Sequence, residues 1–387
     1  MPPCADDRAD GGNCRTWLRP VGMVPLADPE ISQGGASQGF SPQGGPSQGM
    51  ALQGVTPLAG GPMGFTHLDV INDRGGELTV CRIANDQLMD NAAAGGADAE
   101  ARAQQLFDRI TRRREDFAGL SLDAPRIMGI LNTTPDSFSD GGDNAAADAA
   151  LRSAQQMIAD GADILDIGGE STRPGADPVG FDEECRRILP VITPLAEAGH
   201  VVSADTRHTN VMATALDAGA AIINDVGGLR DDGAVQLVAE RAAPSIIMHM
   251  QGEPGTMQDN PCYHYAPTDI YDWLEQRIAV AQAAGLSRAD LAVDPGFGFG
   301  KTPRHNMEIM ATITLLHGLG VPIVLGVSRK STIAHFSKGE AAKDRVAGSV
   351  ALAALALPQG VQVFRVHDVA ETAQALGNTR AFAAAAL

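Results

Sequence analysis

Between residue 126 and the C-terminus, eight short and almost wholly apolar runs recur, separated by longer stretches, most of them amphipathic. The runs are Arg126–Asn132, Ile164–Ile167, Val201–Asp205, Ala221–Asn224, Ser245–His249, Leu291–Asp294, Pro322–Val327 and Val361–Val366. Helical periodicity lies between them, over Ala145–Asp160, Asp182–Ala198, Ala234–Ala242, Asp269–Ala284, Arg304–Gly318 and Ala341–Leu357. A strand that is apolar on both faces is covered on both faces, which is the situation of a parallel sheet. Strand followed by helix, repeated, gives right-handed crossovers. Eight such units favour closure, so residues 126–387 are expected to form an α/β fold, a (β/α)8 TIM barrel of the usual span of roughly 250 residues.

The chain upstream reads differently. Residues 1–60 are rich in Gly, Pro, Ser and Gln, with Gln-Gly recurring every five residues from Gln33 to Gly54. So little apolar surface cannot offset ordering entropy. This part is expected to be a largely disordered N-terminal extension, a docking tract being the alternative. Deleting residues 1–56 is then expected to leave activity nearly intact. Residues 61–125 are expected to be a small, partly ordered segment. Leu68–Ile71 and Leu78–Cys81 around Gly75-Gly76 read as a hairpin, and Asp98–Phe117 as a helix with a solvated basic end. Lys and Arg number 29 against 47 Asp and Glu, a formal charge of −18, which argues against a nucleic-acid partner. The five cysteines form no CxxC pair, so no disulfide scaffold or structural zinc site is expected, and a reducing cytoplasm is the default. Residues 1–20 hold no signal-peptide core, and Val346–Leu357, the longest weakly polar stretch, is too short to span a bilayer.

In a parallel barrel the active site gathers at the carboxyl ends of the strands, and here each end carries polar residues. Asp205, Asn224 and Asp294 make a belt that suits a flat heterocycle with several N–H groups, which need partners when buried. Lys330 beside the belt can reach a ring carbonyl or nitrogen. Arg365, His367 and Arg173, with Asn132, suit an anion such as pyrophosphate. Asn132 is a neutral oxygen ligand able to complete a magnesium site that otherwise keeps waters. His249 reads as a hydrogen-bonded structural histidine; Cys262 and His264 are companions for a zinc site by spacing only. Cys185 reads as core.

Ile127 to Gly142 (IMGILNTTPDSFSDGG) resembles the first signature of the dihydropteroate synthases, and Asp166 to Ala176 (DIGGESTRPGA) the second. DPGFGFGK at 294–301, GVSRKS at 326–331 and RVHD at 365–368 continue the match in family order. The resemblance spans roughly residues 126–380. It implies condensation of a dihydropterin methyl diphosphate with p-aminobenzoate, giving 7,8-dihydropteroate and pyrophosphate with Mg2+. It also implies a cytoplasmic homodimer. Carried over, Asp205, Asn224, Met248, Asp294 and Lys330 hold the pterin and Arg329 stacks near it. Thr172, Arg173, Arg365 and His367 hold the diphosphate, and Asn132 contacts magnesium. Phe138, Pro174, Phe299 and Ser331 form the aminobenzoate pocket. Asp205, Lys330 and Asp136 are the catalytic set, Asp136 lying in a loop that orders once the diphosphate is bound.

Thr133 stands where the family usually has Val, and Arg207-His208 where a small or aromatic residue and then Lys are commoner. The second departure is expected to lie near the pterin. Three other readings compete: a methyltetrahydrofolate-dependent methyltransferase, a Schiff-base aldolase using Lys330, and a catalytically silent pterin-binding paralogue. The first has no use for the basic ends of strands seven and eight. The second leaves the acid and amide belt unexplained.

Overall fold

The computed structural model describes residues 15–26, 54–133, 142–171, 179–253 and 255–385, with only the backbone described for 142–145. Its first element departs from the expectation. Arg15–Pro25 (β1), inside the tract read as a tail, is a strand. It joins Thr56–Pro57 (β2), Met63–Arg74 (β3) and Glu77–Ala84 (β4) in an antiparallel sheet, with β3 between β1 on one side and β2 and β4 on the other. The boundary expected at residue 60 therefore falls inside ordered structure. The local signal was the cluster Trp17, Leu18, Val21, Met23 and Val24, hidden by the surrounding Gly and Pro. The hairpin forms as expected: Arg74 pairs with Glu77 across Gly75 and Gly76, both at positive φ, as a tight two-residue turn requires. Buried Asp69 lies between Arg19 of β1 and Arg82 of β4. Burial acts to raise its carboxyl, but the two guanidinium groups outweigh that and hold it below the usual range.

Two helices follow, Leu88–Ala93 (α1) and Ala97–Thr111 (α2). The second stops short of Phe117. Its end is solvated at Arg112, Arg113, Glu115 and Asp116, as expected, but Arg114 is buried and donates back to the carbonyls of Arg109 and Arg112 and across to that of His317. The N-terminal sheet is not a separate unit. Trp17 Nε1 donates to Asp272 Oδ1 at 2.8 Å, Thr314 Oγ1 to the Pro20 carbonyl at 2.8 Å, and Arg102 and Arg109 pair with Glu275. Trp17, Phe65, Leu68 and Leu106 share one apolar core with the barrel.

The barrel strands are Arg126–Asn132 (β5), Ile164–Gly168 (β6), Val201–Asp205 (β7), Ile222–Asp225 (β8), Ser245–Met248 (β9), Leu291–Asp294 (β10), Val324–Leu325 (β11) and Val363–Val366 (β12). All pairs are parallel, they run in chain order, and β12 lies beside β5. A parallel bridge between Val293 and Ile323, with Val293 N–H on the Pro322 carbonyl, closes the ring. Around it stand Gly142–Ala159 (α3), Phe181–Glu197 (α4), Thr209–Asp217 (α5), Ala234–Glu240 (α6), Ala266–Ala283 (α7), Pro303–Ala311 (α8), Ser331–His335 (α9), Val346–Ala356 (α10) and Val369–Ala385 (α11). The helix expected over Arg304–Gly318 breaks at Thr312 into a wholly buried 3-10 turn, Ile313–Leu319, which packs against β1 and α2. No helix among the described residues is long and apolar enough to cross a membrane.

Cys81 and Cys185 are free thiols, Cys185 buried as expected. Cys262 is disulfide-bonded, a bridge that spacing gave no reason to expect.

The inside of the barrel is layered with the strand period of two. Met128, Ile164, Ile222, Ile246, Ala292, Val324 and Val363, near the strand starts, cluster with Phe117 and Leu122, which plug the amino end. Two residues on, the same inward face carries Asp166, Ser203 (after Val201), Asn224, Met248, Asp294 and Arg365. One step further come Asn132, Gly168, Asp205 and His367. The polar set that the sequence places at strand ends thus occupies two stacked rungs above an apolar floor.

Candidate active site

The centre of these rungs is Asp166, wholly buried. Its carboxylate accepts from Arg365 Nε at 2.6 Å, Ser203 Oγ at 2.7 Å and Asn224 Nδ2 at 3.2 Å. The other arm of Arg365 donates to Asp205 Oδ2 at 2.5 Å. Asp294, opposite, accepts the Gly296 N–H at 2.7 Å. Asp166 lies outside the set of site residues expected from the sequence; its signal is a charge in the middle of an otherwise apolar run. Arg365, expected only at the diphosphate, bridges Asp166 and the belt acid Asp205.

Burial pushes the Asp205 carboxyl up to about 7. Arg365 opposes this, but its single charge is shared with Asp166, whose own charge repels that of Asp205. Burial also raises Asp294, against the Gly296 N–H and the charge of Lys330. Burial acts to lower Arg365, but the attraction of Asp166 and Asp205 holds it above its ordinary value.

Lys330 and Phe299, read as pterin and aminobenzoate residues, meet: Lys330 Nζ stands 3.9 Å from the Phe299 ring centroid. Gly298 permits this, because a Cβ there would press on the lysine Cδ at 3.2 Å. Met248 lies in a small apolar cluster with Val226, Met250, Met257 and Phe299. Lys301, also outside the expected set, is buried with Nζ 2.9 Å from His249 Nδ1 and 2.9 Å from the Phe299 carbonyl. It ties the end of β9 to the Phe299 loop, and His249 is the structural histidine expected.

Residues 128–367 match the family described as pterin binding enzyme. The dihydropteroate synthase of Neisseria meningitidis serogroup B is 49% identical over 263 residues, 66% of this chain and 92% of that protein. The structure of Xanthomonas albilineans dihydropteroate synthase with 4-aminobenzoic acid is similar at TM-score 0.65 and 45% identity, covering 68% of this chain and 96% of that one. Burkholderia cenocepacia dihydropteroate synthase complexed with 7,8-dihydropteroate gives TM-score 0.64 and 43% identity over 69% and 94% of the two chains. The chain belongs to the dihydropteroate synthase family. It is a transferase that forms dihydropteroate, which sets aside the methyltransferase and aldolase readings.

Two synthase expectations change in detail. His367 was counted as basic, but burial and the charges of Arg365 and Arg329 lower its imidazole to about 3. It is neutral at neutral pH. Ser328 Oγ accepts the His367 backbone N–H and lies 3.0 Å from Nδ1, so its hydroxyl hydrogen can go to Nδ1 and leave Nε2 as the donor. Arg329, at φ 58°, pairs its guanidinium with Asp368 and makes no hydrogen bond to the belt. Asn132 stands partly exposed at the end of β5, and Ser331 is exposed at the start of α9. Asp136, Phe138, Thr172, Arg173 and Pro174 lie outside the described residues.

Arg207-His208, expected near the pterin, both turn to Glu170. Arg207 grips its carboxylate from Nε at 2.9 Å and from the second nitrogen at 3.2 Å, with His208 Nε2 at 3.6 Å. Burial acts to raise Glu170, but Arg207 and the Val179 N–H outweigh it and hold the carboxyl below its ordinary range.

Proposed function

We propose that the two polar rungs divide the substrates between them. Asp205, Asn224 and Asp294 receive the N–H edge of the pterin, Lys330 its ring oxygen or nitrogen, and Met248 its face. Thr172, Arg173, Arg365 and neutral His367 hold the diphosphate. Phe138, Pro174, Phe299 and Ser331 receive p-aminobenzoate, with Asp136 completing the mouth. Asp166 orients Asn224 and Arg365 without needing to touch substrate. The observation that carries the reading is the Asp166–Asn224–Arg365–Asp205 network, a set of acceptors and one cation preorganised at the carboxyl end of the barrel.

The carbon–oxygen bond to diphosphate breaks as the aniline nitrogen attacks. Positive charge develops on the pterin, and ionised Asp205 stabilises it in a site that needs no reorganisation. The amine attacks neutral and then loses its proton, so no strong base is required. Among the described residues no group of three His, Cys, Asp or Glu could hold a metal. Magnesium, when bound, would take a neutral oxygen from Asn132, with substrate and water among its other ligands. When bound it would neutralise charge on the leaving diphosphate. A homodimer working in the cytoplasm completes the proposal.

Pyrophosphate release is the direct test, with magnesium, pterin diphosphate and p-aminobenzoate omitted one at a time. Release is expected only when all three are present. Binding of pterin without release would instead support the silent paralogue.

The raised Asp205 carboxyl has two consequences of opposite sign. Because the ionised form is the useful one, kcat/KM for the pterin diphosphate is expected to fall on the acid side with an apparent pKa near 7, belonging to the Asp205–Asp166–Arg365 group as a whole. A profile flat from pH 5.5 to 8.5 would exclude this. For stability, the folded value lies above the unfolded one. The contribution of Asp205 is therefore complete below about pH 4 and is lost as pH rises through about 7.

A further inference from the structure

Glu170 ends the stretch that enters the segment 172–178, and Val179 is the first described residue after it. One carboxylate holds both sides. Its Oε1 accepts the Val179 backbone N–H at 3.2 Å, while its own backbone continues β6. The same stem is held a second time, by Arg187 of α4 donating to the Gly169 carbonyl at 2.8 Å. Arg207, after β7, fixes the carboxylate in a two-pronged grip, which is the most directional form of an ion pair. Glu170 is only 8% exposed, so without a cation it would be an unpaired buried charge.

We infer that Glu170, clamped by Arg207, is a positioning residue: it sets the separation of residues 171 and 179, and through it the affinity for diphosphate and aminobenzoate, without touching either substrate. This rests on the proposed roles of Thr172, Arg173 and Pro174. A spacing error at such stems is costly, since displacements of about 1 Å remote from the chemistry can reduce rate by about a hundredfold. The pterin subsite, by contrast, stands on Asp166, Asn224 and Asp294, none of which contacts Glu170 by a hydrogen bond.

The test uses the full chain and three variants, Arg207→Met, Glu170→Ala and Arg207→Lys. The readouts are binding of a pterin that lacks the diphosphate, kcat and KM for p-aminobenzoate, and hydrogen exchange of the Val179 amide. Arg207→Met and Glu170→Ala are expected to leave pterin affinity within about twofold. They should raise KM for aminobenzoate about tenfold or more and accelerate Val179 exchange about tenfold. Arg207→Lys, which keeps the charge but not the fork, should fall between and guards against loss of fold in the harsher variants. An unchanged KM with unchanged Val179 exchange would overturn the proposal, and so would a fall in pterin affinity parallel to the rise in KM. If the wild-type protein released no pyrophosphate, the functional reading would fall; accelerated Val179 exchange in the variants would still support the anchor, and unchanged exchange would sink it as well.

Discussion

Replacing Asp166 with alanine is expected to lower kcat/KM for the pterin diphosphate by about two orders of magnitude or more, and to cost about 3–5 kcal/mol of stability. The residue touches three other polar groups of the barrel interior. Without it, Arg365 keeps Asp205 as its hydrogen-bonded acid, with Asp294 acting on it by charge, and Ser203 and the Asn224 amide lose their acceptor. The loss is twofold in kind: a buried cation loses part of its compensation, and the amide that faces the substrate is free to rotate. Asp166→Asn separates the two. It preserves shape and one oxygen acceptor for Ser203, but cannot neutralise Arg365, so it should recover part of the stability and little of the rate. Pyrophosphate release and urea unfolding midpoints measure both quantities. Activity within about fivefold of wild type in Asp166→Ala would remove Asp166 from the centre of the site. Comparable losses in rate are expected for Asp205→Ala, Lys330→Ala and Arg365→Ala.

The second large effect lies far from the chemistry. Trp17→Ala is expected to destabilise the whole protein by about 3–5 kcal/mol. Trp17 is 1% exposed, belongs to the core shared with the barrel, and donates its indole N–H to Asp272 on α7. Removing residues 1–26 takes away β1, uncovers Phe65 and Leu68, and should prevent accumulation of folded enzyme. That reverses the outcome expected from composition for deletion of residues 1–56. The Gln-Gly tract itself is a different matter. Met23 of β1 and Thr56 of β2 both pair with Phe65, on opposite sides of β3. They are therefore two strand spacings apart, roughly 10 Å. A linker of about six residues spans that with ease, so replacing residues 27–53 by such a linker should leave stability and turnover unchanged. Urea unfolding and expression yield of the three variants decide the matter. A stable, active protein lacking residues 1–26 would show that β1 is dispensable.

Much of this was legible in the chain. Apolar runs with helical stretches between them specify parallel strands, because only burial on both faces tolerates Ile164–Ile167 or Leu291–Asp294, and eight of them specify closure. The same runs, ending in Asp205, Asn224, Asp294, Lys330 and Arg365, disclosed which end of the barrel works, since strand ends in a parallel barrel all point one way. What the chain did not disclose depends on who meets whom across the barrel. Arg365 lies 199 residues from Asp166, and their pairing follows from inward alternation on strands brought together only by closure. The neutrality of His367 depends on burial and on Arg365 and Arg329 nearby, not on its type. Arg207 was legible as a departure from the family pattern, but its partner was decided by the fold. Arg15–Pro25 looked like a tail because strand propensity is weak in a Gly- and Pro-rich context. It became a strand because β3 offered an edge and α7 an acceptor for Trp17. Local pattern determines which elements form and which way their polar ends face; ion pairing, protonation and the ordering of marginal segments are set by desolvation and partners that exist only once the chain has closed on itself.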